Sequence, residues 1–339
     1  MSKYDVVLIP GDGIGPEVTE AACRVIEEAG VAIHWLRVDA GVTALNKSGS
    51  VLPDPVLDAI RKTGTALKGP ITTPVGGGFP SVSVALRKQL GLFANLRPVK
   101  NLPGVPCRYD EVDLVVIREN TEGLYIGEEI WEDPDTVVAL KRVSREGSSR
   151  IASFAFEYAR SNQRKALTLV HKANILKESD GLFLQCGRDV ATNYPDVHFQ
   201  DRIVDALAMD LVVDPSRHDV LLCPNLYGDI ISDLAAGLVG GLGLVPGANI
   251  GTDCAVFEAV HGSAPDLAGK GTANPTALIL AGTMLLRHLG EGGAADRVES
   301  ALDRLFISGK TLPPDLGGTA STVEFTNMLI DFIQLDKQT

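Results

Sequence analysis

The sequence predicts an α/β protein in which a largely parallel β-sheet is covered by helices. Short β-branched runs, "DLVVIRE", "ALTLVHK" and "DVLLCP", alternate along the chain with the helical patterns "SSRIASFAFEYARS" and "DGLFLQCGRDVATNY". The chain has 339 residues, of which 45% are hydrophobic. This length is sufficient for a large core and usually divides into two domains.

The first predicted elements after the opening strand "DVVL" are a helix and a second strand. The segment "PEVTEAACRVIEEAG" places its apolar residues on one helical stripe, and Gly30 at its end is typical of a helix C-terminus. Pro16 suits the first helical turn, where its missing N–H costs nothing. The run "VAIHWLRV" then predicts a strand.

A glycine-rich turn, "IPGDGIGPEV" at residues 9–18, precedes this helix. The dinucleotide fingerprint G-x-G-x-x-G would need glycine where Pro16 stands, and the P-loop pattern does not occur. The turn can approach a ligand closely, but the turn alone does not identify that ligand.

The segment "IWEDPDTVVALKRVS" interrupts the alternation of strands and helices. Its two short runs flank a Pro-Asp turn. We expect a β-hairpin that stands apart from the main sheet and acts as an interface arm. Proline and glycine clusters at "RPVKNLPGVP" and "GLVPGANIG" are the best candidates for domain boundaries.

Composition argues against several functional classes. The chain has 31 Lys+Arg against 43 Asp+Glu, a formal net charge of -12, so neither nucleic acid nor an anionic membrane surface is an expected partner. No apolar run is long enough to span a bilayer. The five cysteines lack zinc or disulfide spacing and the N-terminus lacks a signal peptide, which together predict a cytoplasmic location.

Candidate binding groups are concentrated in "SVSVALRKQLGLFANLRPVK", residues 81–100. Arg87 and Arg97 lie in it, and Arg118 follows in "VVIRENTEGLY". A guanidinium group can form two parallel hydrogen bonds with one carboxylate. Three such groups in an acidic protein predict a binding site for a ligand with several carboxylates. The alternative is three surface ion pairs, which is the ordinary interpretation of each arginine taken singly.

A second candidate set is acidic. Asp229 and Asp233 lie four residues apart in "NLYGDIISDLAAGL", so both project from one helical face. Mg²⁺ or Mn²⁺, which prefer oxygen ligands, would relieve their repulsion. The alternative, which spacing alone favours, is a pair at a helix start stabilised by the macrodipole. Asp205, in "VDALAMDLV", stands among apolar residues, where an unpaired carboxylate is costly.

Lys172 and Tyr125 are weaker candidates. Lys172 follows a strand in "LVHKANILK" and Tyr125 lies in "GLYIG", but strand-end lysines are usually solvated and tyrosines usually pack. In "FEAVHGSAPDLAGKGTANP", residues 257–275, small residues allow backbone N–H groups to approach a ligand. Asp266 in this segment supplies an acceptor suited to a ribose diol.

Seven segments of the chain together carry a family resemblance. In order they are "IPGDGIGPEV", "KGPITTPVGGG", "LRKQLGLFANLRPVK", "IRENTEGLY", "VHKANILK", "NLYGDIISDLAAGLVGGLG" and "HGSAPDLAGKGTANPTA". One such segment would be a weak signal. Seven in order, running nearly end to end, resemble the β-decarboxylating dehydrogenases, the family of isocitrate and 3-isopropylmalate dehydrogenases.

The resemblance implies a two-domain α/β fold that is not a Rossmann fold, with a β-arm for dimerisation. It divides the chain into a large discontinuous cofactor-binding domain, residues 1–98 and 247–339, and a small central domain, residues 99–246. The arm spans about residues 126–145, and the implied assembly is a homodimer with shared active sites. The opening turn "GDGIGP" is then a tight turn that walls the cleft.

The resemblance also implies the acid–base and metal residues. Tyr125 and Lys172 are implied as an acid–base pair, and Asp205, or Lys172 through water, as the base that removes the hydroxyl proton. Asp205, Asp229 and Asp233 are the implied ligands of Mg²⁺ or Mn²⁺. Asp205 and Lys172 are implied to reach into the site of the neighbouring subunit.

The implied substrate depends on the residues after the glycine run. Isopropylmalate enzymes place apolar side chains there, whereas isocitrate enzymes show S-x-N-V-A-L-R. In "SVSVALR", Ser81 matches the isocitrate pattern, and Ser83 replaces asparagine but keeps a hydrogen-bonding group. With Arg87, Arg97 and Arg118 as implied carboxylate ligands, the pattern implies isocitrate. The alternatives are 3-isopropylmalate, homoisocitrate or tartrate as the substrate, or a non-catalytic regulatory subunit.

The implied cofactor is NAD. Family members that use NADP place lysine and tyrosine in the loop after H-G-T-A-P, with a distant tyrosine and arginine. Here those positions hold Asp266, Leu267, Pro314 and Gly318. The Asp266 carboxylate would accept a hydrogen bond from a ribose 2′-OH and repel a 2′-phosphate. The other implied cofactor ligands are Thr72, His261, Gly262, Ser263, Ala264 and Asn274.

Overall fold

Strands from both halves of the chain meet in one mixed sheet. The structure is a computed structural model that describes residues 3–74, 76 and 78–336, so Val75 and Gly77 of the "KGPITTPVGGG" segment lie outside the described residues. The strands in this part of the chain are β1 (Tyr4–Ile9), β2 (Ile33–Arg37), β3 (Thr65–Lys68), β4 (Ala94–Lys100), β5 (Asp113–Glu119), β6 (Glu129–Asp133), β7 (Thr136–Ala139), β8 (Ala166–His171), β9 (His198–Ile203), β10 (Val220–Cys223), β11 (Pro246–Ile250) and β12 (Ala255–Ala259).

Ten of the described strands form the main sheet in the order β2-β1-β3-β12-β11-β4-β5-β10-β8-β9. The outer pairs are parallel, whereas β11 runs antiparallel to β12 and β4, and β4 runs antiparallel to β5. The prediction of a largely parallel sheet is confirmed, with the antiparallel pairs confined to the centre. The order differs from that of a Rossmann fold, as expected.

Helices cover both faces of the sheet, with the largest hydrophobic core on one face and two smaller cores on the other. They are α1 (Gly15–Glu28), α2 (Val42–Ser48), α3 (Asp54–Thr63), α4 (Val82–Gln89), α5 (Arg145–Ser161), α6 (Ser179–Ala191), α7 (Val204–Val213), α8 (Asn225–Leu238), α9 (Thr276–His288), α10 (Gly292–Ser308) and α11 (Thr322–Asp336). Among the described residues, none of these helices combines the length and apolarity that a bilayer span requires.

The first helix forms as its sequence pattern predicts. Pro16 lies in the first turn of α1, and Val18, Ala22 and Val25 on its apolar stripe are buried. The helix ends before Gly30, whose φ of +89° belongs to the left-handed region that glycine adopts without strain.

The predicted hairpin is also present. Strands β6 and β7 pair antiparallel in a separate two-stranded sheet. Ile130, Trp131 and Val137 are large apolar side chains exposed on it. An apolar surface of this kind suits an interface, but its role as a dimer arm stays a prediction, as do the predicted domain boundaries.

The central strands place different residues on the two faces of the sheet because successive side chains alternate. Asn95 and Arg97 of β4 and Glu258 of β12 line a cavity on one face. Leu96 of β4 and Phe257 of β12 line a separate apolar cavity. The polar residues of these otherwise buried strands therefore converge on one site.

Candidate active site

The polar cavity has a volume of about 290 Å³ and lies where β3, β4, β5 and β12 meet the starts of α4 and α8. Nine of the residues predicted from the sequence line it together. They are Ser81, Ser83, Arg87, Arg97, Arg118, Tyr125, Asp229, His261 and Gly262.

The three predicted arginines are buried rather than solvated. The exposed fractions of Arg87, Arg97 and Arg118 are 9%, 5% and 1%. Their alternative interpretation as surface ion pairs is therefore wrong. A buried charge is costly unless it is paired, and all three guanidinium groups face acidic side chains.

Arginine side chains stay positively charged at neutral pH, because the guanidinium group is a very weak acid. Burial, with repulsion from Arg118, lowers the pKa of Arg97 to about 10. Burial also lowers the pKa of Arg118 from its usual value. Three cations around one small cavity favour a ligand that carries several carboxylates.

Asp229 and Asp233 of α8 face the arginines. Arg118 donates to Oδ1 of Asp229, and Arg97 lies 3.5 Å from the same oxygen and 3.4 Å from Oδ1 of Asp233. The first turn of α8 contains no acidic residue, so the alternative of a macrodipole-stabilised helix start is wrong. Burial raises the pKa of Asp233. Burial also acts to raise the pKa of Asp229, but Arg118, the Tyr125 hydrogen bond and Arg97 together lower it below its usual value.

Tyr125 lies in a short 3₁₀ turn, Leu124–Ile126. Its ring stacks against the Arg118 guanidinium at 4.7 Å, and its hydroxyl donates to Oδ2 of Asp229. Burial and this hydrogen bond raise the pKa of Tyr125. The hydroxyl is therefore protonated at neutral pH and can act as an acid.

Lys172 and Asp205 do not line this cavity. Lys172 follows β8, and its ammonium pairs with Asp205 in the first turn of α7. The expectation that Asp205 is a desolvated carboxylate is wrong for the single chain, because its side chain is 67% exposed.

Ser81 and Ser83 form the polar start of α4. Ser81 is the N-cap residue, and its Oγ accepts a hydrogen bond from the Val84 backbone N–H at 3.4 Å. Both serine side chains line the cavity together with the apolar residues Ile71 and Val84. The wall beside the arginines therefore offers hydroxyl groups as well as apolar surface.

The predicted cofactor segment forms a turn packed against "GDGIG". Ile14 donates its backbone N–H to the Ser263 carbonyl at 2.9 Å, and a Cβ at Gly13 would lie 2.0 Å from that oxygen. Ser263 also hydrogen-bonds Thr72 through their hydroxyl groups at 2.8 Å. The opening turn thus supports the "HGSAP" segment, and only glycine fits at position 13.

Several features of this segment fit a dinucleotide. His261 has its Nδ1 against the Gly262 carbonyl at 3.0 Å, whereas its buried Nε2 lacks a hydrogen-bond partner within the described residues. Burial lowers the pKa of His261, so the ring is neutral and its second nitrogen can bind a ligand. Ala264 adopts a left-handed backbone with φ of +38°, and Asp266 and Leu267 in the turn that follows are exposed.

Asn274 differs from the other predicted cofactor ligands. It is buried, and its Nδ2 donates to Asp315 at 3.0 Å while its Oδ1 accepts from the Thr276 backbone. These bonds tie the segment before α9 to the 3₁₀ turn Pro314–Leu316. Its side chain is already satisfied within the chain.

The carboxylates of α8 are the candidate metal ligands beside the cavity. No group of three His, Cys, Asp or Glu side chains within the described residues is placed to hold a metal ion. Asp229 and Asp233 offer two carboxylates beside the cavity, and one or two protein carboxylates are a usual complement for Mg²⁺. The donor chemistry fits Mg²⁺ or Mn²⁺, with further oxygen ligands coming from outside this set.

Two charged residues of the cavity were not predicted from the sequence. Lys68 of β3 pairs with Oε2 of Glu258 at 2.6 Å, and Arg87 donates to Oε1 at 3.0 Å. Burial alone would raise the pKa of Glu258, but Lys68 and Arg87 hold it well below its usual range. A lysine and a glutamate that each stand in an otherwise apolar strand were the available signal.

Comparison with known proteins agrees with the motif resemblance. Residues 5–329 match the isocitrate/isopropylmalate dehydrogenase family. The chain belongs to this family. The crystal structure of isocitrate dehydrogenase from Methylococcus capsulatus superimposes with a TM-score of 0.95 at 51% identity, covering 98% of this chain and 99% of that one.

Two curated relatives show how the family divides. A probable NAD isocitrate dehydrogenase subunit alpha, mitochondrial, from Drosophila melanogaster is 48% identical over 95% of this chain and 85% of its own length. A 3-isopropylmalate dehydrogenase from Archaeoglobus fulgidus is 49% identical over 95% of this chain and 97% of its own length. Identity therefore indicates a decarboxylating dehydrogenase without separating these two substrates.

The predicted cytoplasmic location is wrong by this comparison. The matched NAD isocitrate dehydrogenase subunits, one of them named as regulatory, are named as mitochondrial. All five cysteines are free in the structure. A reducing environment is not a property of the cytoplasm alone, so the cysteine pattern could not support the narrower prediction.

Proposed function

We propose that this protein catalyses the NAD-dependent oxidative decarboxylation of isocitrate to 2-oxoglutarate and CO₂ with Mg²⁺ or Mn²⁺. The observation that carries the proposal is that three buried arginines and the hydroxyl groups of Ser81 and Ser83 line the same cavity. Isocitrate has three carboxylates, and polar side chains at the start of α4 suit the third.

The alternative substrate is 3-isopropylmalate, which the Archaeoglobus fulgidus relative favours. Its isopropyl group would lie against the start of α4, where Ile71 and Val84 also line the cavity. An isopropyl group offers no hydrogen-bond partner to the hydroxyl groups of Ser81 and Ser83 on this wall of the cavity. A polar site rejects an apolar isostere for this reason, which favours isocitrate.

In the proposed reaction Arg87, Arg97 and Arg118 bind and orient the substrate carboxylates. Tyr125, which is protonated at neutral pH, supplies a proton to carbon after CO₂ leaves. NAD, bound along residues 261–267, would supply the hydride acceptor. Asp229 and Asp233 would hold the divalent cation, which when bound stabilises negative charge on the substrate oxygens.

We further propose that the active site is completed in a homodimer. The Lys172–Asp205 pair lies outside the cavity, so it would act in the site of a second copy, with Asp205 as a third metal ligand. Met209, Val212 and Val213 are exposed apolar side chains on α7, the helix that carries Asp205. Apolar surface of this kind marks protein interfaces.

A non-catalytic regulatory subunit is the alternative of another class, because one matched relative is named as a regulatory subunit. Catalysis by this chain is favoured because Arg97, Arg118 and Tyr125 contact the carboxylates of α8, and Arg87 lines the same cavity. A regulatory chain needs ligand binding but not a proton donor such as Tyr125 in the cavity.

The test is turnover by the purified chain alone. Isocitrate, 3-isopropylmalate, homoisocitrate and tartrate are assayed with NAD and Mn²⁺. The highest kcat/KM is expected for isocitrate. A higher kcat/KM for 3-isopropylmalate would refute the substrate proposal, and absence of turnover with every substrate would favour the regulatory alternative.

A further inference from the structure

A buried hydrogen-bonded network crosses the sheet behind the cavity, and Asn249 of β11 lies at its centre. The Asn249 Oδ1 accepts from Asn95 Nδ2 at 2.9 Å and from Asn120 Nδ2 at 3.0 Å. Its Nδ2 donates to Oε1 of Glu258 at 2.7 Å. None of these four side chains is more than 6% exposed.

The network ends at two of the proposed substrate ligands. On one side, Arg97 Nε donates to Oδ1 of Asn95 at 2.7 Å. On the other side, Oε1 of Glu258 accepts from Arg87 at 3.0 Å. One amide thus connects both arginines, although Asn249 itself does not line the cavity.

Only one orientation of the Asn249 amide satisfies its neighbours. If the amide were turned over, its oxygen would face the Glu258 carboxylate and its NH₂ would face the NH₂ groups of Asn95 and Asn120. The Asn95 amide is fixed in the same way, because its oxygen faces the Arg97 N–H. The donors and acceptors therefore run in one direction from Arg97 to Glu258.

We propose that Asn249 is a positioning residue for substrate binding, which holds Arg97 through Asn95, and Arg87 through Glu258, at one fixed separation. This inference rests on the proposed function, in which both arginines bind carboxylates of one substrate. The two guanidinium groups repel each other, and a substrate with several carboxylates is bound well only if they are held in place before it arrives.

A purely structural role for Asn249 would have a different consequence. Loss of the buried hydrogen bonds would then destabilise the fold and reduce the active fraction of the protein, leaving the KM of the remaining enzyme unchanged. A positioning role predicts a higher KM for isocitrate in enzyme that is fully folded.

The experiment compares Asn249→Asp and Asn249→Leu with the wild type between pH 6 and 9. A protonated Asp keeps the wild-type pattern, because its carbonyl accepts from both asparagines and its O–H donates to Glu258. An ionised Asp instead repels Glu258. The ratio of the KM of Asn249→Asp to that of the wild type should therefore rise with pH, from near 1 at pH 6 to about 10 or more at pH 9. The Leu variant should show a raised KM without this pH dependence.

Asn101→Leu is the matched control, because Asn101 donates to the Tyr109 carbonyl and accepts from Val112 outside the network. It should lower the melting temperature without changing KM. Unchanged KM in both Asn249 variants, or a loss confined to kcat, would overturn the inference. If the Leu variant does not fold, a flat pH series for Asn249→Asp overturns it alone.

Failure of the proposed function would be seen separately, as a wild type that prefers 3-isopropylmalate. The same variants are then assayed with that substrate, because its carboxylates also need both arginines at a fixed separation. A KM that responds to Asn249 would support the positioning role under either substrate.

Discussion

The hydroxyl of Tyr125 donates a hydrogen bond to Oδ2 of Asp229, while the other oxygen of that carboxylate accepts from Arg118. Burial and the Asp229 contact raise the pKa of the tyrosine, and Arg118 lowers that of the aspartate despite its burial. A proton donor and a stable anion are therefore held in direct contact. In the proposed reaction the same carboxylate orients the acid and binds the cation.

Tyr125→Phe should impair protonation of carbon more than oxidation of the substrate. The phenyl ring keeps the stacking on Arg118 but removes the proton, and loss of a general acid costs about 10²–10⁴-fold. The measurement uses oxalosuccinate, the β-keto acid intermediate, as substrate. If the variant decarboxylates and reduces it as fast as the wild type, Tyr125 is not the acid.

Asp229→Asn should weaken Mn²⁺ binding and slow turnover by orders of magnitude. The substitution keeps the shape and one oxygen but removes the charge that a divalent cation needs. Mn²⁺ binding is measured directly by electron paramagnetic resonance in the presence of isocitrate. The control is Asp58→Asn, an exposed carboxylate on α3. Equal Mn²⁺ affinity in the two variants would remove Asp229 from the metal site.

Local sequence patterns were enough to predict individual helices and strands. The site could be predicted only in part, because many of its contacts join residues that are far apart in the chain. The apolar stripe of α1 and the Pro-Asp turn between β6 and β7 are visible in the sequence, and both elements form. Lys68 and Glu258 are direct partners in the register of β3 and β12, but they lie far apart in the chain. The Asn249 network was missed for the same reason, since its members come from β4, β11, β12 and the end of β5.

The arginines show what the sequence could and could not decide. Arg97 and Arg118 lie on the adjacent strands β4 and β5, and each directly follows a buried apolar residue. On sequence alone, each arginine could be interpreted either as an ordinary ion pair or as a substrate ligand. Only the packing, which buries all three guanidinium groups around one cavity, separates the two.

Ser81→Asp should prevent isocitrate binding while NAD binding is retained. Aspartate is as good an N-cap as serine, so α4 should still begin at the same residue. The added negative charge would repel a substrate carboxylate in the cavity that Ser81 lines. Ser81→Asn is the matched neutral control and should reduce isocitrate affinity less. Calorimetry that gives equal isocitrate affinity for Ser81→Asp and the wild type would contradict this prediction.

His218 should make the protein less stable as the pH falls below neutrality. It is 6% exposed, and neither ring nitrogen has a hydrogen-bond partner among the described residues. Burial lowers the pKa of His218, although Asp210 acts in the opposite direction. The unfolded chain therefore binds the proton first, and stability is lost as the pH falls from about 6.5 towards the folded pKa.

Replacement of this buried histidine tests the predicted direction of the pH dependence of stability. The melting temperature of His218→Leu minus that of the wild type should increase as the pH is lowered from 7 to 5. His34→Leu, at an exposed histidine on β2, is the control and should not reproduce the change. A constant difference between His218→Leu and the wild type across this range would show that His218 does not titrate on unfolding.

The choice between NAD and NADP should depend on the exposed turn Pro265–Leu267. If Asp266 accepts hydrogen bonds from the adenosine ribose, its charge favours NAD and repels the 2′-phosphate of NADP. The variant that tests this replaces Asp266 by Lys and Leu267 by Tyr. The matched control is Asp58→Lys, which makes the same charge change at an exposed carboxylate on α3, outside the predicted cofactor segment.

The double variant should use NADP better and NAD worse, but the switch should be incomplete. A lysine and a tyrosine at the two positions remove the repulsion and supply a cation and a hydroxyl to the phosphate. The distant positions offer neither, because they hold Pro314 and Gly318. An arginine could not simply be added at position 318, since a Cβ there would lie 1.9 Å from the Leu312 carbonyl oxygen.

The measurement is kcat/KM with each cofactor, for the wild type and the double variant. A wild type that prefers NADP would refute the assignment of Asp266. An unchanged preference ratio in the double variant would mean that the ribose is recognised elsewhere, and the "GDGIG" turn, which packs directly against this segment, would be the next place to examine.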